Sequence, residues 1–332
     1  MPALEFTLMV GCPLKCTFCP QDSLRGLYGK VADKYMSLEN FKKILSRVPK
    51  HVRIDFSGMA EPWANPDATA MLRHTLESGY TVAVYTTLYD MSLEDGVEVI
   101  EMLRRHSAQV EILCLHLPDR AGNMRGWRHN AVYETNLRAF IEFGLSKVLR
   151  KFEVMTMDAG GKVHKDLDHL RIRLGAWTGH TRAGNVPLDA VGAQAIDGMP
   201  EHQGAVSCSF TPFYDQNVCL PNGDVVLCCM DYSLKHKIGN LLEHSYYEMF
   251  SGPGLARLVA ENMKPGFSRE SLCKSCNRAK LHQVSPSKQF WESPSDPPPP
   301  KPSPWRHWRW PLRVTRAAAR RLRDRLSNEI RL

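Results

Sequence analysis

The chain has 332 residues, with ten cysteines among them and 43 Lys and Arg against 35 Asp and Glu, enough material for one domain of ~200–250 residues and a smaller one. Residues 301–332 carry ten basic and two acidic residues, which accounts for the whole net charge of +8, and residues 1–300 hold 33 of each sign. A neutral body excludes a basic face that reads nucleic acid, and no run of ~18 apolar residues is present to cross a membrane.

The first residues, Met1 to Glu5, have neither a basic n-region nor an apolar h-region. The expected compartment is therefore the cytoplasm, where cysteines serve as metal ligands rather than disulfides. Leu4 to Val10 reads as a strand that delivers the loop Gly11 to Pro20 at its C-terminal end, with Cys12, Cys16 and Cys19 spaced C-x3-C-x2-C. Three thiolates in one loop cannot pair among themselves without leaving one over, but they can converge on one metal centre. A structural zinc wants four protein ligands, whereas three cysteines on a [4Fe–4S] cube leave one iron open to a substrate or cofactor. A zinc knuckle completed by a distant His or Cys is the alternative.

Ser37 then heads an amphipathic helix with Phe41, Ile44, Leu45 and Val48 on one face, and Val52 to Phe56 returns as a strand. Asn65-Pro66 caps a helix carrying Met71, Leu72 and Leu76, ahead of a strand from Thr81 to Thr86. Ser92 opens the next helix, before the strand Val110 to His116. A helix over 130–143, a strand from Phe152 to Met157, a helix over 166–174 and a short strand near 178–182 follow. The pattern predicts six βα repeats that close partway, a partial (β/α)6 TIM-like barrel with its chemistry at the C-terminal ends of the strands. At those ends lie Gly58-Met59-Ala60-Glu61-Pro62, Thr86, His116 with Cys114 on the same face, and Arg182-Ala183-Gly184-Asn185.

Cysteines return at Cys208, Cys219, Cys228, Cys229, Cys273 and Cys276, around a hairpin that turns at Asn222-Gly223 and a helix near 245–262. These residues form a small C-terminal α+β module. Ser285 to Pro304 is a proline-rich linker. Beyond it, Trp305, Trp308 and Trp310 precede an Arg-rich segment in which Val314, Ala318, Leu322, Leu326 and Ile330 recur at i+4, an amphipathic helix expected to dock on an anionic membrane or an acidic partner. The boundaries fall at 1–200, 201–284, 285–304 and 305–332.

The cysteine loop, with Phe18 just before its last cysteine, resembles the signature of the radical S-adenosylmethionine (SAM) superfamily, and residues 208–276 resemble its SPASM or twitch extension. The resemblance implies that Cys12, Cys16 and Cys19 hold the cluster that reductively cleaves SAM to a 5′-deoxyadenosyl radical. It implies SAM contacts from Phe18, Gly58, Met59, Ala60, Glu61, Thr86 and Asn185. One auxiliary [4Fe–4S] cluster on Cys208, Cys228, Cys273 and Cys276 follows, with Cys219 and Cys229 as spares and a flavodoxin or ferredoxin as electron donor. Cys114 and His116 are pocket candidates. With no peptide-binding segment ahead of the barrel, a sugar, cyclitol or other small alcohol is the expected substrate, to be oxidised, dehydrated or epimerised. Peptide maturation is the alternative, and a zinc-stabilised binding protein acting through its basic tail is a reading of another class.

Overall fold

A computed structural model describes residues 1–29, 34–158, 160–170, 172, 174–175, 181–186 and 200–282. The linker and the basic tail lie outside these residues. Five strands, β1 (Ala3–Phe6), β2 (Arg53–Phe56), β3 (Val82–Thr86), β4 (Val110–Leu117) and β5 (Phe152–Thr156), pair in parallel in chain order. Between them run α1 (Gln21–Tyr28), α2 (Leu38–Leu45), α3 (Ala68–Glu77), α4 (Leu93–Arg105) and α5 (Ala131–Leu145). The helix starts are set locally: the side chains of Ser37, Ser92 and Asn130 accept from the backbone N–H groups of Asn40, Asp95 and Tyr133, each cap contributing about 1 kcal/mol.

Period two divides each strand between two environments. Leu4, Phe6, Ile54 and Phe56 point to the helices, where the Phe6 and Phe41 rings lie 4.8 Å apart in the main core. Glu5, Asp55, Tyr85, Cys114 and His116 share the opposite face, as the register Glu5↔Asp55↔Ala83 and Tyr85↔Cys114 requires. That face is the concave side of the partial barrel.

Three expectations are corrected. Asp67, not Asn65, is the N-cap of α3; Asn65 instead accepts from the Asp67 N–H at 2.8 Å and donates to the Leu8 and Met36 carbonyls. In place of a helix over 166–174 there is one 3-10 turn, Lys165–Leu167, followed by a single parallel bridge from Gly175 to Met155. The helix near 245–262 is two, α6 (Tyr246–Ser251) and α7 (Pro253–Met263), because Pro253 starts a new helix and cannot continue the old one. The strand near 178–182 falls outside the described residues except at Thr181 and Arg182, which open a turn.

The remaining strands are β6 (Val206–Cys208), β7 (Gln216–Cys219), β8 (Asp224–Val226), β9 (Lys237–Asn240) and β10 (Ala279–Leu281). The hairpin of β7 and β8 does not stand apart from the barrel. Strand β7 pairs in parallel with β1, Ala3↔Gln216 through Phe6↔Cys219, giving one eight-stranded sheet in the order β5-β4-β3-β2-β1-β7-β8-β9. Residues 1–282 form one compact unit.

Candidate active site

The cysteine loop is pinned on two sides. Cys16 bridges Met124, Thr17 N–H donates to the Asn123 carbonyl at 2.8 Å, and Gly126 N–H donates to the Leu14 carbonyl at 2.7 Å. A Cβ on Gly126 would overlap the Pro13 carbonyl, so only glycine allows this approach. On the other side Gln21 of α1 accepts from the Cys12 N–H at 3.2 Å and donates to the Met59 carbonyl at 2.5 Å. Met59 N–H in turn donates to Thr7 Oγ1 at 2.9 Å, across Gly58, whose φ of +72° leaves no room for a side chain against Thr7. The loop, α1 and the turn after β2 are thus one hydrogen-bonded assembly.

Cys12 and Cys16 are buried and Cys19 half-buried. Burial pushes the Cys12 thiol up to about 12. Cys19 is drawn down to about 5 by the hydrogen bond from Cys16, with Arg182 and Tyr232 adding to it, and Cys16 is raised as the donor of that bond. A thiolate beside a cation is the form that binds soft metals.

Glu61 turns toward β3. Its carboxylate accepts from Thr86 Oγ1 at 2.6 Å, Thr87 Oγ1 at 2.6 Å and Thr87 N–H at 2.7 Å, while burial raises its carboxyl. Thr86 is spent on Glu61 and on the Leu88 N–H. Asn185 donates to the Arg182 and Met230 carbonyls, and Phe18 is buried with its carbonyl accepting from Arg182 at 3.2 Å. These residues surround the cysteine loop, held by contacts within the protein. Gln21 and Arg182 do as much positioning as any of them; neither belongs to a spacing pattern that marks a site, and only the Arg182–Asn185 segment drew notice in the sequence.

The concave face is polar. Arg53 pairs with Asp55 through two bonds of 2.6 and 2.7 Å, and Ser57 donates to Glu5 at 3.1 Å. Burial, then the Asp55 charge, lifts the Glu5 carboxyl to about 7. The His116 ring meets Tyr85 edge-on at 6.2 Å, its Nε2 is buried with no partner among the described residues, and burial lowers it to about 4. Cys114 packs with Ala83 and Ile112, and burial pushes its thiol up to about 12, the behaviour of a core cysteine.

Cys208, Cys228, Cys229, Cys273 and Cys276 line a cavity of about 60 Å³ that Glu5 also reaches. Backbone N–H groups of Thr211 and Arg278 point at the sulfurs of Cys208 and Cys276, at 3.5 and 3.4 Å. Between Cys273 and Cys276, fully buried Lys274 donates to the carbonyls of Gly204, Lys264 and Gly266. Cys219 lies in the main core, away from this cavity, whereas Cys229 lines it. Among the described residues no three His, Cys, Asp or Glu side chains converge tightly enough for a single metal ion. The cysteines ring a space instead, as soft donors do around a multi-iron cluster.

A partial parallel barrel with three thiols on its first loop, continued into a second thiol-ringed cavity, defines an iron–sulfur α/β enzyme. The chain belongs to the radical SAM superfamily: the profile of that superfamily matches residues 6–157, and that of SPASM, an iron-sulfur cluster-binding domain, matches residues 208–277. It is a SAM-dependent enzyme whose cofactors are a [4Fe–4S] cluster, SAM and auxiliary iron–sulfur in the SPASM domain. Among solved structures, BtrN in complex with AdoMet and 2-DOIA matches with a TM-score of 0.52 and 14% identity over 86% of this chain and 94% of that one. anSMEcpe with bound AdoMet has a TM-score of 0.48 and 16% identity over 83% and 86%. Streptococcus suis SuiB bound to precursor peptide SuiA has a TM-score of 0.42 and 14% identity over 82% and 69%. A search of curated protein sequences finds no match. No helix among the described residues is long and apolar enough to cross a membrane.

Proposed function

We propose that this enzyme oxidises an alcohol carbon of a small hydroxylated molecule, a sugar, cyclitol or related polyol, seated on the concave face of the sheet. Cys12, Cys16 and Cys19 hold the SAM-cleaving cluster in this reading, and Cys208, Cys228, Cys273 and Cys276 hold one auxiliary [4Fe–4S] cluster. Phe18, the Gly58–Glu61 turn, Thr86 and Asn185 shape the SAM pocket. When bound on Cys12, Cys16 and Cys19, the cluster with SAM would supply a radical able to remove one hydrogen atom from the substrate C–H, and a cluster on Cys208, Cys228, Cys273 and Cys276 would supply an acceptor for one electron. The substrate hydroxyl then gives up its proton, and the bond order of the new carbonyl balances the loss of one hydrogen atom, one proton and one electron.

The observation that carries the reading is the polar row Glu5, Arg53, Asp55, Ser57, Tyr85 and His116 along one face of the sheet, of which Glu5 also reaches the cavity ringed by the later cysteines. Paired charges and hydroxyls suit a ligand rich in hydroxyl groups. His116, held neutral at pH 7 by burial and with no partner for its buried Nε2 among the described residues, is the base that would accept the hydroxyl proton in this reading. The ligand in the BtrN complex, 2-DOIA, is in keeping with a small-molecule substrate. Anaerobic turnover with reductant and C-deuterated polyols tests the proposal. Deuterium should enter 5′-deoxyadenosine, and His116→Gln should keep that transfer while lowering ketone formation about 100-fold. Deuterium transfer from a precursor peptide and from no polyol would sink it in favour of peptide maturation.

A flavodoxin- or ferredoxin-type protein supplies the reducing electron in this reading. The basic segment 305–332 docks the enzyme on an anionic surface, which co-sedimentation with anionic vesicles checks: equal pelleting of the full chain and of one ending at Ser303 counts against it.

A further inference from the structure

Arg182 lies in the turn of residues 181–186, and its backbone is unusual. Arg182, Ala183 and Gly184 are consecutive left-handed residues, with φ of 48°, 51° and 89°, a conformation that costs a non-glycine residue roughly 1 kcal/mol or more. The turn is held by contacts on both sides. Thr181 Oγ1 donates to Asn277 Oδ1 at 2.9 Å and accepts from the Gly184 N–H, and Asn185 reaches the Met230 carbonyl at 3.0 Å. What this strained turn delivers is one guanidinium group.

Its Nε donates to the carbonyl of Phe18 at 3.2 Å and its Nη1 to the carbonyl of Cys229 at 3.1 Å. Its Nη2 lies 4.0 Å from the Cys19 sulfur, and its carbon sits 5.3 Å from the centre of the Tyr232 ring. Two of its anchors are therefore main-chain carbonyls beside the two groups of cysteines, and its remaining donors face a sulfur. Among the described residues no carboxylate comes within ion-pair distance; Glu5 acts on it only through space. A partly buried cation without an acidic partner is costly unless an electron-rich group meets it, and among the described residues the Nη2 of Arg182 meets the Cys19 sulfur.

We propose that Arg182 is a positioning residue that sets the reduction potential of the cluster on Cys12, Cys16 and Cys19. The inference rests on the ligand assignment above. Reduction adds one negative charge to the cluster, and a fixed cation with N–H donors at a ligand sulfur stabilises the reduced form. The same side chain is clamped to the Cys229 carbonyl, one residue from Cys228. A shift of the auxiliary hairpin thus moves the cation that the first cluster senses.

The experiment is an EPR-monitored redox titration of the reconstituted full chain without SAM. The Cys12→Ala/Cys16→Ala/Cys19→Ala variant identifies, by loss, the signal of the first cluster. Arg182→Gln should shift that signal to lower potential, with about a tenfold smaller reduced-to-oxidised ratio at a fixed potential, ~59 mV for one electron, and Arg182→Lys should recover more than half of the shift. A second measurement needs no variant: with 15N-arginine in the wild-type protein, pulsed EPR of the reduced first cluster should detect 15N coupling. An unchanged midpoint in Arg182→Gln, or no 15N coupling, overturns the proposal while leaving the ligand assignment intact. If the triple cysteine variant keeps the wild-type iron content and every signal, the ligand assignment falls and this inference with it.

Discussion

Glu61 and His116 both lie at strand ends, and they differ in how their polar atoms are used. Every donor around Glu61 belongs to the protein itself, so its carboxylate fixes the end of β3 rather than waiting for a ligand. His116 keeps a buried ring nitrogen that has no hydrogen-bond partner among the described residues. That difference has a thermodynamic signature. Burial lowers the folded His116 from 6.5 to about 4, with Arg182 adding to the effect and Glu153 opposing it. The unfolded chain then binds a proton that the folded chain refuses. The contribution is fully present above pH 6.5 and is lost as pH falls toward 4. Between pH 7 and pH 5 the wild type should lose about 2 kcal/mol through this residue, and His116→Gln should abolish that part of the slope. Denaturant unfolding at the two pH values measures it, and parallel slopes for the two proteins would refute the assignment.

Helix α1 illustrates how an element can matter without carrying any ligand. Its first residue, Gln21, links the Cys12 N–H to the Met59 carbonyl, so the helix works as a spacer between the cysteine loop and the turn after β2. Gln21→Leu removes both partners and strands two buried backbone groups, at about 2 kcal/mol. We expect that loss in the denaturation midpoint, with iron content kept and SAM bound about tenfold more weakly. Unchanged SAM affinity by equilibrium binding would show that the spacing is set elsewhere. None of this was legible beforehand. The alternation of strands and helices was readable because apolar residues recur at periods of 2 and 3.6, and the cysteine spacings were readable because ligands must converge. α1 has eight residues and no strong start signal, its N-cap Pro20 offering no side-chain bond. The motif acid Glu61 was found, but which way its carboxylate faces depends on Thr86 and Thr87, and spacing says nothing about direction. The break at Gly252-Pro253 was in plain view, yet the apolar period runs on through it.

At the scale of the molecule, the pairing of β7 with β1 leaves the most consequences. It makes β1 an interior strand, bonded to β2 on one edge and β7 on the other. The amides of Ala3 to Phe6 should therefore be among the slowest to exchange in the intact protein. A fragment ending at residue 200 exposes one whole edge of β1 and should aggregate or leave those amides unprotected. Hydrogen-exchange mass spectrometry on both chains tests this; a soluble fragment with fully protected β1 would contradict it. No local pattern announces such a pair, because its partners, Ala3 and Gln216, stand more than 200 positions apart. The same distance acts in time. At roughly 5–20 residues per second of synthesis, the first strand waits on the order of ten to forty seconds for its neighbour to leave the ribosome. Throughout that interval the three thiols of the first loop hang from a strand with an open edge. The half of the chain made first is thus finished by the half made last, and on the proposed ligand assignment the first loop should take up iron and sulfide only after β7 has been made.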